Sequence, residues 1–265
     1  MRKKKEEVKK KVEVKKEPEN KEKEVKLFLA TPMYGGQCTG NYTQSLLNFI
    51  TMCNSLKIPV NCAFMFNESL ITRARNGLAH QFLESDCTHL FFVDADIKFD
   101  PSDVIHMIKA DKPLICGIYP KKEINWFQVD QAVKSGIPAE HLTNFTGSFV
   151  VNLVGGAHAI TVRADKPAEI LAGGTGFMLI KRQVFNKLKK ITPQYNNDLP
   201  NLGMGTKIYD FFQTSHCPET GRLLSEDYHF CAQYRSIGGK IYAAPWCKLG
   251  HWGSYLFEGG LIRTD

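Results

Sequence analysis

No apolar run among the 265 residues approaches the roughly 18 that a membrane-spanning helix needs, so no transmembrane segment is expected. The N-terminal residues are positively charged but carry no apolar h-region and no cleavage site, so they do not read as a secretory signal. The eight cysteines (38, 53, 62, 87, 116, 217, 231 and 247) include no C-x-x-C pair. Reduced thiols, a cytoplasmic location and no zinc cluster are therefore expected. No G-x-x-x-x-G-K-[ST] loop is present, which argues against a P-loop NTPase. No G-x-S-x-G elbow appears, which argues against an α/β-hydrolase. The first predicted strand runs into Thr31-Pro32-Met33-Tyr34 rather than a G-x-G-x-x-G turn, against a dinucleotide-binding fold. Excess charge of one sign is also scarce outside the N-terminus. Of the net +7, residues 1–24 contribute +4, from 11 Lys/Arg and 7 Glu. The rest of the chain is only +3, so no nucleic-acid partner is expected.

What is present is enough apolar sequence, 43% of residues, for one large α/β domain or two small lobes. Residues 1–24 are nearly all Lys, Glu and Val and cannot bury a core. They read as a solvated tail, with contact to a partner as the alternative. From Val25 the pattern alternates. Strands are expected at Val25–Ala30, Val60–Phe66, Thr88–Val93 and Leu114–Tyr119. Helices are expected at Tyr42–Leu56, Ser69–Glu84 and Pro101–Lys109, the last with Pro in its first turn. This alternation predicts a mostly parallel sheet wrapped by helices. Residues 121–172 read as loops and short strands, with Ser148–Val154 and Ala159–Arg163 as a candidate hairpin. Gly173-Gly174-Thr175-Gly176 leads into a strand at Phe177–Ile180, and Gln183–Lys189 is helical. Residues 192–221 read as a long surface loop. A helix over Glu226–Ile237, a strand over Lys240–Ala244 and a Gly-rich tail from Cys247 complete the chain.

Four groups of residues carry chemistry. Phe91-Phe92-Val93 ends in Asp94-Ala95-Asp96, two carboxylates at the carboxyl end of an apolar strand, where open α/β sheets bind ligands. In extended chain they point the same way and repel unless a cation lies between them. Hard oxygen ligands suit Mg²⁺ or Mn²⁺ together with substrate phosphates. Arg75 falls inside the apolar stripe Ile71, Ala74, Leu78 and Phe82, and an inward guanidinium needs a partner, Asp94 or a phosphate. Ser225-Glu226-Asp227 opens a helix; Ser225 suits the cap, and an acid beside the buried stripe is a candidate proton acceptor. His251, between Gly250 and Trp252-Gly253, is an approachable ligand for a metal shell. Trp126, Phe127 and Tyr195 offer flat apolar faces to a sugar ring, or serve as loop anchors.

In this order the residues resemble the GT-A glycosyltransferases, most closely inverting family 2-like members, including those predicted in large DNA viruses and phages. The similarity covers about residues 25–257. Thr31-Pro32-Met33-Tyr34 resembles the loop that holds the nucleotide base. Ala74-Arg75-Asn76 is similar to the segment whose Arg lies near the nucleotide. Asp94-Ala95-Asp96 resembles the DXD motif, and Gly174-Thr175-Gly176 the Gly-rich stretch lining the sugar site. Glu226-Asp227 resembles the ED motif, whose Asp is the base, and His251 a metal-ligating His. The resemblance implies one GT-A domain with a nucleotide-sugar half (25–120) and an acceptor and catalytic half (121–265). It implies Mn²⁺ or Mg²⁺ on Asp94, Asp96 and His251, and a UDP- or GDP-linked sugar donor. The acceptor is a glycan, a protein or a small molecule, with Trp126 beside it. The competing expectations are a metal-dependent sugar-phosphate nucleotidyltransferase, a nuclease, and an inactive glycan-binding module.

Overall fold

The computed structural model describes residues 24–149, 151–154 and 162–260. Nearly all of the expected tail, and Val150 and Ala159–Thr161 of the expected hairpin, lie outside the described residues.

The first half follows the expected alternation: β1 (Leu27–Met33), α1 (Gly40–Ser55), β2 (Val60–Phe66), α2 (Ile71–Glu84), β3 (His89–Val93), β4 (Ile97–Lys98), α3 (Pro101–Lys109) and β5 (Leu114–Gly117). Local chemistry sets the helix starts. Thr39 accepts from the Tyr42 N–H at 3.2 Å ahead of α1. Asp100 accepts from the Ser102 N–H at 2.8 Å ahead of α3, with Pro101 at the first helical position.

The second half holds α4 (Trp126–Lys134), β6 (Val151–Leu153), β7 (Ala168–Gly173), β8 (Phe177–Lys181), α5 (Arg182–Leu188), β9 (Gln194–Asn196), β10 (Lys207–Tyr209), β11 (Ser215–His216), β12 (Leu223–Leu224), α6 (Glu226–Ser236), β13 (Ile241–Ala244), β14 (Lys248–Trp252) and β15 (Leu256–Gly260).

The central sheet has the order β2-β1-β3-β8-β5-β13-β7-β6. Strands β2, β1, β3, β5, β13 and β6 run one way, whereas β8 and β7 run against them. The result is the expected α/β architecture, a mostly parallel sheet flanked by helices. Strand β3 is buried along its whole length because both faces are covered. Phe91 packs edge-on against Phe177 at 5.0 Å on one side, and Phe92 against Phe212 at 5.4 Å on the other. Gly117 belongs to this packing, since a Cβ there would stand 2.4 Å from Phe177 Cδ1 and 2.9 Å from Leu249 Cδ1. Gly117→Ala is expected to cost about 1–3 kcal/mol by overpacking. Urea unfolding checks this, as a lower midpoint at unchanged slope.

Four expectations need correction. Strand β1 runs on through Thr31, Pro32 and Met33 instead of ending at Ala30, because all three pair with β2. Residues 121–172 contain α4, capped by Asn125, whose side chain accepts from the Gln128 N–H at 3.1 Å. β6 pairs with β7. Residues 192–221 are not a surface loop throughout: Phe211 and Phe212 are fully buried, and Asn76 on α2 accepts from the Phe212 N–H at 2.9 Å. The segment from Cys247 is a hairpin, with β14 pairing to β15 and to β4, so His251 lies within a strand rather than beyond the last one. Among the described residues no helix is long and apolar enough to cross a membrane, and all eight cysteines are free.

Candidate functional site

The carboxyl ends of β1 and β3 open onto a cavity of about 640 Å³, a size suited to a ligand larger than a single sugar. Its lining includes Pro32, Tyr34, Arg75, Asp94, Ala95, Asp96, Thr175, Glu226 and Asp227, so most of the residues singled out in the sequence face one space.

Arg75 is the centre of the polar network. It is 3% exposed, on a helix whose other buried residues include Ala74, Leu78 and Phe82. Its Nη2 donates to Asp94 Oδ1 at 2.9 Å and Oδ2 at 3.2 Å, and its Nε reaches Glu226 Oε1 at 3.4 Å. The guanidinium thereby ties α2 to the end of β3 and to the start of α6. Burial works against its charge, but Asp94 and Glu226 outweigh that and hold its pKa above the ordinary value. The Glu226 carboxyl is raised too, because burial outweighs the pull of Arg75, so its charged form is disfavoured. Three polar atoms in the lining residues stay buried without a hydrogen-bond partner among the described residues: Arg75 Nη1, Thr175 Oγ1 and Asp96 Oδ1. Buried polar atoms of this kind cost free energy unless a ligand or water satisfies them.

The two aspartates do not share a direction. The chain leaves extended geometry after Val93: the Ile97 N–H donates to the Asp94 carbonyl at 3.1 Å, closing a turn. Asp94 faces Arg75. Asp96 faces Lys122, whose Nζ lies 2.5 Å from Oδ2, and His251, whose Nε2 lies 3.6 Å from Oδ1. Among the described residues no three His, Cys, Asp or Glu side chains form a metal-holding group. Of the expected set Asp94, Asp96 and His251, only the last two meet.

His251 Nδ1 stands 2.8 Å from the Pro120 carbonyl, which can only accept, so Nδ1 carries a proton. In the neutral ring Nε2 then presents its lone pair toward Asp96 Oδ1, itself buried and without a hydrogen bond. Two electron-rich atoms facing at this distance fit a cation between them, and a His held by a carbonyl on its other nitrogen is the usual arrangement for a ligand.

Asp227 accepts on Oδ1 from the Tyr228 N–H at 2.8 Å and from the Ser225 hydroxyl. Oδ2 has no protein donor among the described residues. Thr31 is buried and hydrogen-bonded to Tyr42 Oη at 2.8 Å, beneath the cavity rather than in its lining. Gly174 is buried between β7 and β8. A Cβ at Gly176 would stand 2.7 Å from Tyr119 Oη and 2.8 Å from Asp94 Oδ2, so a side chain there would displace both. Trp126 is 69% exposed at the start of α4 and is not in the lining; Trp252 is. Tyr119, Glu68 and Trp252 line the cavity without having been singled out. Glu68 is buried against Arg73 at 2.8 Å, a pairing that sequence spacing alone does not reveal.

No protein-family model matches the chain, and no curated protein matches it. Among solved structures it is similar to A197 from STIV, at 16% identity and a TM-score of 0.48, over 91% of this chain and 98% of that one. It is also similar to GalNAc-T7 with UDP, GalNAc and Mn²⁺, at 10% identity and a TM-score of 0.45, over 87% of this chain and 44% of that one. The chain thus spans under half the length of the GalNAc-T7 chain, and neither likeness bears on the chemistry of the cavity.

Proposed function

We propose that the chain is a metal-dependent glycosyltransferase that moves a sugar from a UDP- or GDP-linked donor to an acceptor hydroxyl, with inversion. The observation that carries this reading is the convergence on one cavity of a fixed Arg75–Asp94 pair, an open carboxylate on Asp227 and Asp96, which His251 faces from just outside the lining. Asp96 and His251 would hold Mn²⁺ or Mg²⁺. The bound ion would neutralise the diphosphate as the glycosidic bond breaks. The residues of the chain do the remainder. Pro32 and Tyr34 flank the base at the cavity mouth. Asp94, immobilised by Arg75, orients the ribose. Arg75 Nη1 and Thr175 Oγ1 supply hydrogen bonds to the donor that no protein group uses. Asp227 takes the acceptor proton on Oδ2, and a single attack from the opposite face inverts the anomeric carbon.

A panel of labelled nucleotide-sugars tests this, measured as donor hydrolysis and transfer. Turnover of at least one UDP- or GDP-sugar is expected, abolished by EDTA and restored by Mn²⁺. Full turnover in EDTA would falsify the metal requirement. Glycan binding without turnover of any donor would favour the inactive module instead.

A further inference from the structure

We propose that Lys122 is an exchangeable charge of this site: it neutralises Asp96 while the cavity is empty and transfers to the donor's diphosphate when the cavity fills. The inference rests on the glycosyltransferase reading and adds to it a donor-binding residue from outside the cavity lining.

The Lys122 ammonium lies 2.5 Å from Asp96 Oδ2, on the carboxylate whose other oxygen faces His251 Nε2. The two side chains are 41% and 30% exposed, and an ion pair in that setting contributes little to stability, so its exchange costs little. The backbone around it is fixed. The Lys121 N–H donates to the Ser148 carbonyl at 2.7 Å, the Pro120 carbonyl accepts from the His251 Nδ1–H, and the Trp252 N–H donates to the Asp96 carbonyl at 2.8 Å. Only the lysine side chain needs to move.

Its track is also built. A Cβ at Gly253 would lie 3.2 Å from Lys122 Cδ and 3.5 Å from Cγ. Gly253 is not in the left-handed backbone region, so what its missing side chain provides is room for the lysine stem.

Charge decides where the ammonium goes. A divalent cation on Asp96 and His251 would share one carboxylate with a second positive charge a few ångströms away, and like charges at that separation repel. The diphosphate arriving with the cation is the nearest concentrated anion, and an ammonium on a flexible stem binds phosphate as a point charge. Lys122 therefore competes with metal alone and assists metal with diphosphate. The two effects have opposite signs, which a merely structural lysine would not produce.

Lys122→Met in the full chain keeps the stem and removes the charge. Mn²⁺ affinity without nucleotide, read by electron paramagnetic resonance, is expected to rise by roughly 2- to 5-fold, the equivalent of a lost exposed ion pair. UDP and GDP affinity at saturating Mn²⁺, read by calorimetry, is expected to fall by roughly 10-fold or more, as for a lost charge-assisted contact. UMP and GMP should bind nearly as before. Gly253→Ala, which crowds the stem but leaves the charge, should shift both affinities the same way by less. Unchanged affinities, or a parallel loss of both, in a variant of wild-type melting temperature would overturn the role of Lys122. The glycosyltransferase reading would stand in that case, because the wild-type chain still binds the nucleoside diphosphate. Wild-type protein that binds neither Mn²⁺ nor UDP nor GDP would overturn both.

Discussion

Asp227→Asn is expected to lower transfer by about two to four orders of magnitude, the range for a lost general base, while donor and metal binding persist. The Ser225 hydroxyl and the Tyr228 N–H both fall on Oδ1, so among the described residues Oδ2 is the oxygen without a donor. Asparagine reproduces the shape and can still accept those two bonds, but its amide cannot take a proton. Glu226, the neighbouring candidate, is less suited, because it is spent on Arg75 at 3.4 Å. Initial rates and product NMR provide the check. Normal transfer by the variant would reduce Ser225–Asp227 to a helix cap and put the base elsewhere. A product of retained configuration would sink the single displacement even if Asp227 proved essential.

The second large effect is on stability. Arg75→Met should be the most damaging single change at the site. It leaves the Asp94 and Glu226 carboxylates beside each other with their shared cation gone, at 29% and 15% side-chain exposure. Breaking such a buried pair costs about 3–5 kcal/mol, and partial exposure of Asp94 favours the lower end. For a chain of this size about 3 kcal/mol corresponds to a melting temperature lower by roughly 6–12 °C. Adding Asp94→Asn should recover part of the loss, because it removes one stranded charge. A melting temperature within a degree or two of wild type would mean that the guanidinium is not the cation these carboxylates depend on. Nothing in this measurement involves turnover, so it stands apart from the proposed activity.

The first half of the fold was legible because its elements obey local rules. α3 is legible from Pro101 in its first turn, and β3 from the apolar run that leads into Asp94. Arg75 stands out because a charge interrupts an apolar stripe; of the two partners its burial allows, Asp94 or a phosphate, the structure shows Asp94. The second half depends on distant contacts. Phe211 and Phe212 sit in a stretch rich in Asn, Pro and Gly, and they are buried by rings elsewhere in the chain: Phe185 packs on Phe211, and Phe92 and Phe230 on Phe212, while Asn76 holds the Phe212 N–H from more than a hundred residues earlier. α4 begins with two exposed aromatics, Trp126 and Phe127, so its apolar pattern does not mark an inner face. The aspartate pair misled in one respect: alternation predicts a shared direction only while the chain stays extended, and it turns directly after Val93. Lys122 left no trace in the sequence, since a lysine beside Lys121 and Glu123 looks like any solvated surface run.

The reversed strand at the middle of the sheet dictates when the protein can be completed as it leaves the ribosome. β2, β1 and β3 can pair once about the first third of the chain has been made. β5 cannot join them, because its neighbours are β8 on one side and β13 on the other, up to residue 244. Until those segments emerge, Leu114–Gly117 has both edges open and β3 has one, and all of these residues except His89 are apolar or small. Unpaired apolar edges attract other chains, and sheets that wait for distant strands close slowly. A ribosome that stalls between Gly117 and Phe177 would therefore hold a half-sheet whose sticky side is the one destined to carry Asp94. The sooner Phe177–Lys181 follows Gly117 out of the ribosome, the shorter the time for which that edge stays open.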